Sequence, residues 1–248
     1  MLSLLAVAAA GAAAGVSNSI AGAGSLITFP TLLAVGLPPL SANVTSTVGL
    51  IPGAAGGAIG YADLIGEQRG RFLRLAVPTL LGAAAGTALL LATSNATFED
   101  IVPVLVAGSC LLLLFQPRLT PHLSHAGNEH SPYLSAGLLL AGAYAAYFGS
   151  AVGILLLGIL GLFVAASMQH LNAMKILLAG IANLLAAATY LFLAPVDLKY
   201  AACLAVSSLL GGRLGANLAR RISGEALRVT IALAGLVVAA ILAVRAFG

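Results

Sequence analysis

The sequence predicts an all-α integral membrane protein made of two sequence-related halves, and three observations predict it. The 248 residues are 60% hydrophobic and 7% charged, which leaves too little polar surface to cover a soluble fold of that size. Apolar runs at residues 73–91, 102–114, 176–193 and 229–244 approach or reach the roughly 20 residues of a bilayer-spanning helix. The chain also repeats itself at a spacing of 129 residues. Leu75-Ala76-Val77-Pro78-Thr79-Leu80-Leu81-Gly82 reads against Leu204-Ala205-Val206-Ser207-Ser208-Leu209-Leu210-Gly211, and the same offset pairs Gly24 with Gly153, Asn43 with Asn172 and Tyr61 with Tyr190. Apolar matches are cheap in a chain rich in Leu and Ala; the Gly, Asn and Tyr matches are less so.

A single membrane domain is expected over residues 1–248, with a first repeat at 1–115, a polar linker at 116–132 and a second repeat at 133–248. Each repeat divides into five apolar segments. They are 2–20, 25–35, 42–61, 72–92 and 98–115 in the first half, and 133–148, 153–164, 169–193, 196–219 and 226–244 in the second. The first segment opens without Lys or Arg, unlike a cleaved signal peptide, and reads as a retained helix. The second segment of each half is too short to span. It follows a glycine break, Ala21-Gly22-Ala23-Gly24-Ser25 in one half and Gly149-Ser150-Ala151-Val152-Gly153 in the other. Such broken helices persist at membrane depth only where protein or a water-filled cavity satisfies the freed backbone groups.

The net charge of +4 comes mostly from Arg at the ends of apolar runs, which suits membrane topology and gives no reason to expect a nucleic-acid partner. Arg69, Arg71 and Arg74 precede the fourth segment of the first half, whereas Arg220, Arg221 and Arg228 follow the fourth segment of the second. Basic loops stay cytoplasmic, so the swap predicts halves of opposite orientation: ten segments, with both termini outside. The competing count is eight spans with parallel halves. In the linker, His122, His125 and His130 have no metal-ligand spacing, and Cys110 and Cys203 stand alone in apolar segments. No metal and no cofactor are expected.

The stretch Gly22-Ala23-Gly24-Ser25-Leu26-Ile27-Thr28-Phe29-Pro30-Thr31-Leu32, followed by Gly36-Leu37-Pro38 and Ala42-Asn43-Val44-Thr45-Ser46, resembles the first-repeat signature of the TauE/SafE sulfite exporter family. Ala23 and Ser25 stand where glycines are common in that signature. The resemblance implies a bacterial membrane transporter of sulfite, sulfonates or related small anions. It also implies about eight helices, against the ten segments read here.

The residues point the same way. A helix that begins inside the membrane aims unpaired N–H groups and a partial positive charge at whatever precedes it. Two such breaks, one from each half, can cradle an oxyanion, with Gly22, Gly24, Gly149 and Gly153 as backbone candidates and Ser25 and Ser150 as hydroxyl donors. The alternative is tight helix packing, the use expected of Gly82 with Gly86 and of Gly211 with Gly215. Asn43, Thr45 and Ser46 open the next segment, and their repeat partners include Asn172 and Lys175. Lys175 lies in an otherwise apolar run, where an unpaired lysine costs at least about 2.5–3.5 kcal/mol and an anion would offset the cost. The alternative is snorkelling to the interface. Tyr61 and Tyr190 read as interface anchors, His170 as interfacial, and Arg213 as reaching the cytoplasmic surface.

The expected activity is secondary transport of a small anion by alternating access, with the bilayer and the anion as partners in a bacterial inner membrane. An anion channel of the same architecture is the alternative. An intramembrane enzyme is disfavoured, because the histidines gather in the linker and the carboxylates sit at segment ends. No Walker-type phosphate loop is present.

Overall fold

The computed structural model describes residues 2–20, 22–59, 61–119, 128–219 and 225–247. The described residues are helical with no strand. In chain order the helices are α1 (Leu2–Ile20), α2 (Ser25–Ala34), α3 (Pro39–Ile59), α4 (Ala62–Glu67), α5 (Arg69–Ala92), α6 (Asn95–Leu119), α7 (Pro132–Tyr147), α8 (Val152–Phe163), α9 (Met168–Leu193), α10 (Leu198–Ala219) and α11 (Glu225–Phe247). Ten fall on the ten predicted segments. The addition is α4, whose six residues include Asp63 and Glu67 and so escape a search for apolar runs. His122, His125, Arg220 and Arg221 lie outside the described residues.

Four stretches are long and apolar enough to cross a membrane by length and composition: Leu2–Ile20, Arg69–Ala92, Asn95–Phe115 and Met168–Leu193. Helices α2 and α8 have 10 and 12 residues. At 1.5 Å per residue each covers roughly half of a 30 Å hydrocarbon core.

Glycines set how the helices approach. A Cβ on Gly211 would strike the Ala12 carbonyl of α1, one on Gly215 would meet Val16, and one on Gly15 would meet Ser208 and Gly212. Helices α1 and α10 therefore lie backbone against backbone and run parallel. The same holds for α5 and α7, where Gly82 faces Leu139 and Gly86 faces Ala143. Both glycine pairs thus serve helix packing. On the other side of α10, Gly49 meets Leu204 and Gly53 meets Ser208, so α3 is parallel to α10 as well.

Contacts between elements come in exchanged pairs. Helix α1 packs on α10 as α7 packs on α5; α2 touches α11 as α8 touches α6; and α3 packs on α10 as α9 packs on α5. These contacts sort the loops onto two faces. The starts of α5, α7 and α9 share one, tied by Arg71–Glu129 at 2.8 Å, by His170–Glu67 at 3.0 Å and by Gln68 donating to the His170 carbonyl at 3.2 Å. The end of α5 and the starts of α3 and α10 share the other, where the Asp197 amide donates to Thr45 Oγ1 at 3.0 Å. Stripes such as Leu73, Val77 and Leu81 on α5, and Val206, Leu210 and Leu214 on α10, face outward as a lipid-facing surface requires.

Two expectations are corrected. Tyr61 and Tyr190 are buried at 4% and 0% exposure and anchor no interface. Tyr190 donates to the Ala146 carbonyl at 2.6 Å, and Tyr61 accepts from Asn172 Nδ2 at 3.0 Å. A phenol at the end of an apolar run satisfies its hydroxyl on a neighbouring helix as readily as in headgroups, and sequence position alone does not separate the two.

Candidate functional site

Both short helices begin at chain reversals that only glycine accommodates easily. Gly22 and Gly149 each have φ of 71°. Each also donates its amide five residues back, Gly22 to Ser17 at 3.0 Å and Gly149 to Tyr144 at 2.9 Å. With a Cβ, that left-handed backbone costs about 1–2 kcal/mol. The two reversals correspond structurally at an offset two residues shorter than 129, which is why the repeat spacing aligns Gly24 with Gly153 although Gly22 and Gly149 do the same job.

The two breaks meet. A Cβ built on Gly22 would lie 2.7 Å from Gly153 Cα, and one on Gly153 would lie 2.8 Å from Gly22 Cα. Ser25 Oγ at the start of α2 is 3.1 Å from Ser150 Oγ in the turn before α8. The second turn is pinned from behind, where Tyr144 Oη donates to the Ser150 carbonyl at 2.8 Å and Ser109 Oγ to the same oxygen at 3.2 Å. Phe148 packs edge-on against Phe29 of α2, with ring centroids 5.5 Å apart.

Beside this junction lies a cavity of about 70 Å³. At roughly 10–15 Å³ per water on the same measure, it has room for a few waters or one small anion. It is lined by α1, α3, α9 and both breaks. Four wall positions of α3, Thr47, Leu50, Ile51 and Ala54, have their 129-residue partners Ile176, Ala179, Gly180 and Asn183 on the opposite wall in α9. Gly22 with Gly149, and Ser25 with Val152, add two more equivalent pairs.

Lys175 supplies the charge. It is 2% exposed, lines the cavity, and makes no hydrogen bond or ion pair with any described residue. Its stem lies against Gly153, where an added Cβ would come 3.3 Å from Lys175 Cδ. Among the described residues, no carboxylate lines the cavity. Net positive charge, two helix starts and a partly apolar wall make an environment suited to a small anion.

Five of the eleven candidate residues line the cavity: Gly22, Ser25, Gly149, Gly153 and Lys175. The others sit around it. The Gly24 amide is taken by Asn18 Oδ1 at 2.7 Å, and Ser150 reaches the wall through Ser25. Asn43 Nδ2 donates to the Tyr147 carbonyl at 2.9 Å, Thr45 accepts from Asp197, Ser46 shares a 2.6 Å hydrogen bond with Thr28, and Asn172 is held by Tyr61. These four brace helices α3 and α9, and none lines the cavity.

Sequence reasoning missed Asn18 and Asn183, whereas Thr47 belongs to the polar stretch 43–47 expected to present side chains to the cavity. A signal was available: Lys175, Ala179 and Asn183 recur at a spacing of four along α9, which sets them on one face. Asn18 lies one turn before the first break. Among the described residues, no group of three or more His, Cys, Asp or Glu is placed to hold a metal ion.

The profile of the Sulfite exporter TauE/SafE family matches residues 7–242. A "Probable membrane transporter protein" of Haemophilus influenzae is 29% identical over 212 residues, 81% of this chain and 79% of the relative. "Probable membrane transporter protein ORF9" of a Sinorhizobium species is 27% identical over 207 residues, covering 83% and 79% of the two chains. "Probable membrane transporter protein YfcA" of Escherichia coli K12 is 30% identical over 148 residues, 56% of this chain and 52% of the relative. With the family profile matched over nearly its whole length, this multi-pass chain belongs to the TauE/SafE sulfite exporter family and is a membrane transporter.

Proposed function

We propose that the protein is a secondary carrier that exports sulfite, an organosulfonate or a related small sulfur-containing anion by alternating access. The observation that carries this reading is Lys175, buried and without a counter-ion on the wall of a cavity where two helix breaks meet. An ammonium group held this way is stabilised by an anion, and the partial positive charge of the two helix starts at the same cavity adds to that preference.

The exchanged pairs of contacts and the matched cavity walls support two repeats, 1–115 and 133–248, on either side of a 116–132 linker. Because α1 starts on the face opposite to the start of α7, they also support inverted orientation. Arg69, Arg71 and Arg74 would then mark the cytoplasmic face, with both termini outside a bacterial inner membrane. One half rocking against the other would open the cavity to each face in turn.

Uptake of sulfite, methanesulfonate and sulfate into proteoliposomes tests the reading. Saturable flux of sulfite or methanesulfonate supports it. The absence of flux for all three, with protein correctly inserted, removes it. Flux that rises linearly with concentration, accompanied by single-channel currents, replaces the carrier with a channel.

A further inference from the structure

The charge on the cavity wall bears on the mode of transport. Among the described residues, Lys175 is the one charged side chain there; the remaining polar side chains, Asn18, Ser19, Ser25, Thr47 and Asn183, are neutral. Two potential acceptors are already engaged. Asn18 Oδ1 receives the Gly24 amide, and Ser25 Oγ is paired with Ser150 Oγ. The described carboxylates lie away from the cavity: Glu67 pairs with His170, Glu129 with Arg71, and Asp197 caps α10 through the Tyr200 amide. Among the described residues the wall offers the ammonium group only neutral acceptors such as Asn183 and no carboxylate, so a bound anion is what would restore an ion pair to it.

An alternating-access carrier must close its site twice per cycle, once loaded and once on the return. Closing over an unpaired ammonium costs its hydration and returns no ion pair, and the positive ends of two helices facing the same space raise the cost. Closing over an ammonium with an anion beside it restores the pair. We propose that the protein is an obligate anion exchanger, in which Lys175 blocks return of the empty site and a second anion must ride back. This rests on the anion-carrier reading above and adds its coupling: the outgoing anion is driven by an incoming one.

The test uses proteoliposomes with valinomycin and balanced potassium, so that no membrane potential builds up. Initial uptake of labelled methanesulfonate and of labelled sulfite is compared between vesicles preloaded with the same unlabelled anion and vesicles holding impermeant buffer. Exchange predicts at least about tenfold faster uptake into preloaded vesicles, a threshold set below the roughly hundredfold or more that one uncompensated buried charge implies. Lys175→Arg keeps that ratio, whereas Lys175→Gln brings it towards one, even at a lower rate. Asn183→Asp provides a second route: it leaves the lysine in place and adds a carboxylate to the same wall, so it too lowers the ratio. Saturable uptake at equal rates with and without internal anion overturns the exchange inference alone. Failure of both anions to enter under either condition overturns the carrier reading and the inference with it.

Discussion

Gly22 and Gly153 touch through their backbones: each lacks a Cβ where the other's Cα stands, at 2.7 and 2.8 Å from the missing atom. Gly22 lies in the break between α1 and α2 and Gly153 in the first turn of α8, so this contact joins the two broken-helix elements at the cavity. Gly153→Ala must push the breaks apart and press on the Lys175 stem. Overpacking of this kind costs about 1–3 kcal/mol, and a lower thermal midpoint together with reduced flux is the expected outcome. Gly158→Ala is the control, because nothing lies within 4 Å of its added Cβ. It should leave the midpoint unchanged or raise it slightly.

The Ser25–Ser150 hydrogen bond links the same two breaks through side chains. Single and double alanine variants should show coupling of about 0.5–1.5 kcal/mol in unfolding free energy. Additive effects in that cycle would mean the two hydroxyls do not hold the breaks together.

Asn43 is buried and its Nδ2 serves the Tyr147 carbonyl at the end of α7. Asn43→Ala leaves that carbonyl short of a donor, at a cost of about 1–3 kcal/mol. The expected pattern is a lower thermal midpoint with a nearly unchanged KM. Tyr190→Phe should behave alike, since its hydroxyl serves the Ala146 carbonyl in the same helix. A large KM change without loss of stability would return Asn43 to the anion site.

Topology follows from which helix ends share a face. A reporter inserted in the 116–132 linker should report the cytoplasm, and reporters at both termini the opposite side. Both termini on the linker's side would overturn the inverted arrangement.

The helices were legible because apolar runs broken by Gly, Pro and charge are the dominant signal in a membrane chain. Helix α4 was not, since six residues containing Asp63 and Glu67 form no apolar run. At the cavity, Gly22, Gly149 and Lys175 could be read from sequence because a glycine break and a lone cation are each unusual in an apolar segment. Asn43, Thr45 and Asn172 looked equally polar, yet they face neighbouring helices and spend their hydrogen bonds there. Which side of a helix meets a cavity depends on how α3 and α9 are rotated against each other, and that is set by contacts far apart in the chain. Asn183 was missed for the same reason: two turns beyond Lys175, it joins the site only through that rotation.

The central claim is that Lys175 carries the charge of the anion site. Uptake of sulfite and methanesulfonate into proteoliposomes preloaded with the same anion, compared among wild type, Lys175→Ala and Lys175→Arg at matched folding and insertion, tests it most directly. Wild-type uptake is expected to saturate, with a kcat/KM at least about tenfold lower in Lys175→Ala, as loss of a charge-assisted contact of about 1.5–3 kcal/mol requires, and substantial recovery in Lys175→Arg. Wild-type kinetics in a folded Lys175→Ala variant would contradict it.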